Sequence, residues 1–76
     1  MGESEPVVLE PDELEVLRLV DLEGLSQEEA GERMGVSRGT IWRLLNSARR
    51  KTTLALTDGR TIRISEYTEI EPKETQ

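Results

Sequence analysis

Cysteine, histidine and phenylalanine are all absent from the 76 residues. Without cysteine there is no disulfide staple, and without cysteine and histidine together structural zinc and the commonest general base are excluded. The remaining Asp, Glu and Ser residues form no convergent constellation, so neither an enzyme nor a bound metal or other cofactor is expected. Aromatic residues are reduced to Trp42 and Tyr67, too few to wall a deep ligand cavity. Apolar runs stop at two or three residues, which excludes a membrane span. Met1-Gly2-Glu3 opens no signal peptide, and Pro6 occupies the Ser/Thr position of a myristoylation site, so a cytoplasmic chain without a membrane anchor is expected. A chain of this length buries only about 60% of its unfolded surface and has room for one core. That core is expected in residues 6–65, between acidic, polar ends at 1–5 and 66–76 that should be disordered.

The formal charge of −6 argues against a nucleic-acid partner until its distribution is considered. From Met1 to Glu32 eleven acids face Arg18 alone, whereas from Arg33 to Arg63 eight bases face only Asp58. The first segment repels phosphate and the second attracts it. A plainer account, solvated arginines on an ordinary helix face, stands beside that one until the pattern of the middle segment is read.

Punctuation divides the chain into helices. Pro11 followed by acids suits a helix start, and Leu14, Val16, Leu17, Leu19, Val20 and Leu22 give a broad apolar surface before Glu23-Gly24, which predicts a first helix from Pro11 to about Glu23. Ser26 with Glu29 forms a capping-box pattern closed by Gly35, predicting a second helix over Gln27 to Met34. Ser37 caps a third, from Arg38 to about Leu56, with Ile41, Leu44, Leu45, Ala48, Thr52, Ala55 and Leu56 on one face. After the Asp58-Gly59 turn, residues 60–64 alternate as a strand does, and Val7-Val8-Leu9 is the available partner. We expect the two to pair antiparallel, within one chain or between two, in a mainly α fold of three or four helices.

The second and third helices carry the most specific signal. A helix-turn-helix needs a small residue where its helices cross, a glycine in the turn and apolar wedges. Gly31, Gly35, and Ala30, Met34, Val36, Ile41 and Leu44 meet those needs in order; a generic αα-hairpin is the alternative. With Ile41, Leu44, Leu45 and Ala48 turned inward, a step of about 100° per residue puts Gly39, Arg43, Asn46 and Arg50 outward. Arg38 and Thr40 stand in the first turn, where a recognition helix meets base edges, and Ser37 lies beside the helix N-terminus, where phosphate binds. Arg43 suits guanine O6 and N7 and Asn46 suits adenine. Arg33, Arg49, Arg50 and Lys51 suit phosphates, although the last three could equally complement the helix dipole. Trp42, at the edge of the inward face, fits packing against a neighbouring helix or subunit, or contact with DNA sugars.

Together Leu22-Glu23-Gly24-Leu25-Ser26, Glu28-Glu29-Ala30, Met34-Gly35-Val36-Ser37, Gly39-Thr40-Ile41 and Ala48-Arg49 resemble region 4 of the sigma-70 family, particularly the extracytoplasmic-function type. They also resemble small bacterial and archaeal proteins that are predicted DNA binders with a region-4-like domain. The resemblance covers about Leu9 to Ile64. It implies a winged-helix-like, three- to four-helix DNA-binding domain whose last long helix enters the major groove, acting in transcription regulation. Region-4 domains also dock on RNA polymerase, so a protein-interaction module is the alternative function. Nothing resembles region 2, so a complete sigma factor is not implied. The cysteine-bearing basic extension common in the small family is replaced by an acidic start, so metal or redox sensing is not implied either. A single recognition helix has a small footprint, and a homodimer on paired half-sites, joined through Trp42 and the end of the third helix, is expected.

Overall fold

The computed structural model describes residues 5–65. Their order is strand β1 (Val7–Leu9), helix α1 (Pro11–Val16) continuing as a π-helical segment (Leu17–Leu22), α2 (Gln27–Met34), α3 (Arg38–Asp58) and strand β2 (Ile62–Ile64). Expectations for residues 1–4 and 66–76 lie outside the described residues. No described helix is long and apolar enough to cross a membrane.

Local chemistry sets most boundaries. Pro11 occupies the first turn of α1 with Asp12 and Glu13, and Ser26 and Glu29 form both halves of the capping box that opens α2. Gly35 ends α2 in the left-handed region at φ 72°, which a side chain would disfavour. Ser37 caps α3, its hydroxyl accepting the Thr40 N–H at 3.1 Å. Gly59, also left-handed, ends α3 two residues beyond the expected Leu56.

The first helix departs from regular α geometry. Beyond Val16 the hydrogen bonds lengthen to the π pattern, with Glu23 N–H donating to the Arg18 carbonyl at 2.9 Å. Wider winding lowers the angular step per residue, so the apolar run no longer projects onto one face. Leu19 is fully buried while Leu22 is 79% exposed, and Leu14 too lies on the surface. The broad apolar surface expected of this helix is therefore narrower than its composition suggests.

Val16, Leu19, Ala30, Ile41, Leu45, Ala48 and Ala55 form the interior, with Val20, Leu25 and Met34 packed at its margin. Leu44 is half-buried and Thr52 likewise, but Leu56, expected inward, is 77% exposed. It stands one residue beyond buried Ala55, a rotation of about 100° that carries it past the edge of the contact with the rest of the domain.

β1 and β2 pair as expected, within one chain, but in parallel and not antiparallel. The register sets Val7 beside Ile62, Val8 beside Arg63 and Leu9 beside Ile64, with Val7 N–H donating to the Thr61 carbonyl and Ser65 N–H to that of Leu9. No hairpin joins the strands. The whole helical body is the crossover between them, long enough for parallel pairing, so nothing local forces the antiparallel sense. Val7 and Leu9 are buried, whereas Ile62 and Ile64 are exposed, which corrects the half-buried alternation expected of β2.

Candidate nucleic-acid interface

α2 and α3 meet at a close crossing. A Cβ added to Gly31 would lie 2.7 Å from the Val36 carbonyl oxygen and 3.6 Å from Ile41 Cγ1, so only glycine fits. Val36 N–H donates to the Gly31 carbonyl at 2.9 Å, locking the turn. The Val36 side chain is exposed; it contributes backbone to the crossing and not the apolar wedge expected of it. Ala30 and Ile41 supply the wedge, both fully buried.

Packing of Ile41, Leu45 and Ala48 inward turns Gly39, Arg43, Asn46 and Arg50 to solvent, where all four are exposed. Arg33, Ser37 and Arg38 are exposed and Thr40 is half-buried. Hydrogen bonds order part of this face. The Ser37 and Thr40 hydroxyls lie 3.0 Å apart and Arg43 Nη2 donates to Thr40 Oγ1 at 3.3 Å. Ser37 is thus occupied as a cap, and Thr40 lies between it and the Arg43 guanidinium. Asn46 Nδ2 donates to the Trp42 carbonyl at 3.1 Å, so its amide is folded along its own helix and keeps its oxygen for a partner.

Two of the ten expected residues are engaged elsewhere. Arg49 makes a bidentate pair with Asp21 of the π-helical segment, at 3.1 and 2.6 Å. The guanidinium hydrogen-bonded to Asp21 holds that carboxyl below its ordinary range, and the carboxylate raises the Arg49 pKa in return. Lys51 Nζ donates at 2.8 Å to Glu13 Oε1, whose side chain is only 7% exposed. Ser47 Oγ and the Glu10 N–H, the latter at 2.9 Å, donate to the same carboxylate. Burial pushes the Glu13 pKa up, but the Glu10 N–H, Lys51 and Ser47 together outweigh it and hold it below the ordinary range. These pairs fasten α3 to the first helix.

Among the described residues, Arg33, Arg38, Arg43 and Arg50 have no ion-pair partner. Arg18 is held by Glu15 and Glu23, and Arg60 by Asp58 at 3.4 Å. Between Arg38 and Thr57 α3 carries no acid, so its outward face is positive although the chain is not. Glu13 and Asp21 were not legible as partners of α3, because each lies about thirty or more positions away from its base. The only hint is that an acidic first helix has to pack somewhere.

Beside Arg38, an open groove spans the two helices, lined by Gln27, Arg38, Gly39 and Trp42. Gln27 was not singled out in the sequence, and only the crossing of α2 over α3 brings it there. Trp42 is 57% exposed among the described residues, so most of its indole faces the open side of that groove.

The model for the family described as protein of unknown function DUF134 matches residues 1–73. A UPF0251 protein of Pyrococcus furiosus is 64% identical over 55 residues, covering 72% of this chain and 51% of the relative. UPF0251 proteins of Thermoanaerobacter pseudethanolicus and Moorella thermoacetica are 52% and 56% identical over 64 residues, 84% of this chain and 54% and 43% of theirs. The chain therefore spans about half the length of the curated relatives it matches. No solved structure matches it.

Proposed function

The chain belongs to the family of proteins of unknown function DUF134, and from the site itself we propose that it binds double-stranded DNA as a transcriptional regulator. In this reading α2 and α3 form a helix-turn-helix of the sigma region-4 kind and α3 lies in the major groove. One observation carries it: an acid-free, outward α3 face that presents Arg38, Arg43 and Arg50 without carboxylate partners among the described residues, in a chain whose net charge is −6. Two of the acids, Glu13 and Asp21, are taken up by pairing with α3 itself.

Arg43 is the base reader, its guanidinium held by Thr40 toward the N-terminal turn of α3. Arg38 and Arg50 contact phosphates on either side of it, and Arg33 does so from the last turn of α2. Arg49 and Lys51 are structural first, and reach DNA only by giving up Asp21 and Glu13. About three to five phosphates would then be neutralised, giving a slope of log K against log salt near −0.9 for each. Selection of bound sequences from a random duplex pool, followed by salt titration on the best of them, tests the reading. An unenriched pool with a flat salt response would refute it.

A further inference from the structure

Sequence-reading contacts occupy the crest of α3, but Trp42 does not lie there. At about 100° per residue, Gly39, Arg43, Asn46 and Arg50 fall within about 40° of one line along the crest, whereas Trp42 lies about 60° from Gly39 on the side away from Arg43. A helix in the major groove meets base edges along its crest and a sugar–phosphate strand along each flank. The Trp42 flank also opens toward α2, and the groove there is lined by Gln27, Arg38, Gly39 and Trp42.

Gly39 adds an independent observation. A Cβ at this position would find only Ser37 Oγ at 3.9 Å, and no positive φ requires a glycine. Glycine is a poorer helix former than alanine, and among the described residues no close contact at Gly39 calls for it. Gly31 differs, because its missing side chain is demanded by Val36. The bare backbone at Gly39 suits something that approaches from outside.

We propose that Trp42, Gly39, Arg38 and Gln27 form a seat for one sugar–phosphate strand of a DNA duplex. The indole face packs against a deoxyribose, the Arg38 guanidinium and the Gln27 amide donate to the adjoining phosphate, and bare Gly39 lets the strand lie close. Charge commits the seat to this occupant. Arg38 has no ion-pair partner among the described residues, and Gln27 is neutral. Glu28 and Glu32 line the neighbouring groove on the other side of Arg38, which repels phosphate from there and directs it to the Trp42 side. An apolar ring bordered by a guanidinium matches a strand that alternates sugar and phosphate, and gives no reason to prefer one base over another.

This inference rests on the DNA-binding reading, and the test separates the two. Trp42 is the single tryptophan, so its emission reports the seat without labelling. Titrating the full chain with a short random-sequence duplex at low salt should shift the emission to the blue and protect it from acrylamide. Trp42→Ala should weaken binding about five- to ten-fold on every sequence with base preference unchanged, while Trp42→Phe retains most of the affinity. Gly39→Ala should raise the melting temperature of the free protein yet weaken DNA binding, opposite signs that a purely structural glycine would not give. Binding with unchanged Trp42 emission and an unaffected Trp42→Ala variant would overturn the seat and leave the DNA reading standing. Emission that depends on protein concentration without DNA would overturn it in favour of self-association. Absence of any salt-dependent binding would remove the DNA reading itself, and the seat with it.

Discussion

Replacing Lys51 by methionine decides whether this base belongs to the fold or to the DNA. Methionine keeps the length and apolar stem of the side chain but removes the ammonium. Glu13 would then keep two neutral donors, Ser47 Oγ and the Glu10 N–H, and lose the one cation paired with it among the described residues. Removing one partner of a fully buried ion pair costs about 3–5 kcal/mol. Here the Lys51 side chain is 33% exposed, so water replaces part of what is lost and about 1–3 kcal/mol is the better figure. In a domain this small each kcal/mol moves the melting temperature by about 4–8 °C, so Lys51→Met should melt roughly 4–24 °C lower. The acid limb supplies a second readout. Glu13 ionises more readily folded than unfolded, so its stabilisation is present above the ordinary glutamate range and is lost as pH falls through the lowered folded value. Without Lys51 the folded value moves back toward the ordinary range, so that loss should be complete at higher pH and be smaller in total. Melting followed by far-ultraviolet circular dichroism from neutral to acid pH measures both, and a cycle with Glu13→Gln should show that the two changes are not additive. An unchanged melting temperature and acid limb, together with a shallower salt slope for DNA, would refute the structural role and make Lys51 a phosphate contact.

Gly31→Ala should cost about 1–3 kcal/mol or more, because the new methyl meets a backbone carbonyl that cannot turn aside, and chemical denaturation would show the drop. Arg43→Ala should leave the melt unaltered while relaxing base preference at one position by about 1–3 kcal/mol; equal loss on all sequences in a competition assay would make Arg43 a phosphate contact. Deleting residues 1–8 removes Val7 and Val8, two of the three residues of β1, and loss of the buried Val7 side chain alone should lower stability by about 1.5–3 kcal/mol. If the truncated chain melts at the same temperature, the strand pair contributes nothing to the fold.

What was legible in the sequence is what is written locally. Ser26 with Glu29, Gly35 and Ser37 mark ends of α2 and α3 because caps act over three or four residues. The outward placement of Gly39, Arg43, Asn46 and Arg50 follows from the helical step once Ile41, Leu45 and Ala48 are buried. Three features depend on partners remote in the chain and were not legible. The dense apolar run after Val16 does not distinguish α from π winding, since both bury Leu19. Strand direction depends on how the helices stack between β1 and β2, and no short turn signals it. Arg49 and Lys51 look in sequence like their neighbour Arg50, and only the packing of the first helix on α3 removes them from the free bases.

The parallel sense of the strand pair also bears on force. β1 is entered from its N-terminal side and β2 is left from its C-terminal side, so tension between the two ends of the described segment runs along the strands in opposite directions. The ladder bonds are then loaded together in shear. Antiparallel strands entered and left in the same way would place both ends of the pull at one edge and peel open a bond at a time. Within a longer polypeptide, such a clasp would resist traction while the helical body it closes stays folded, and rupture would free β1 and β2 in a single event.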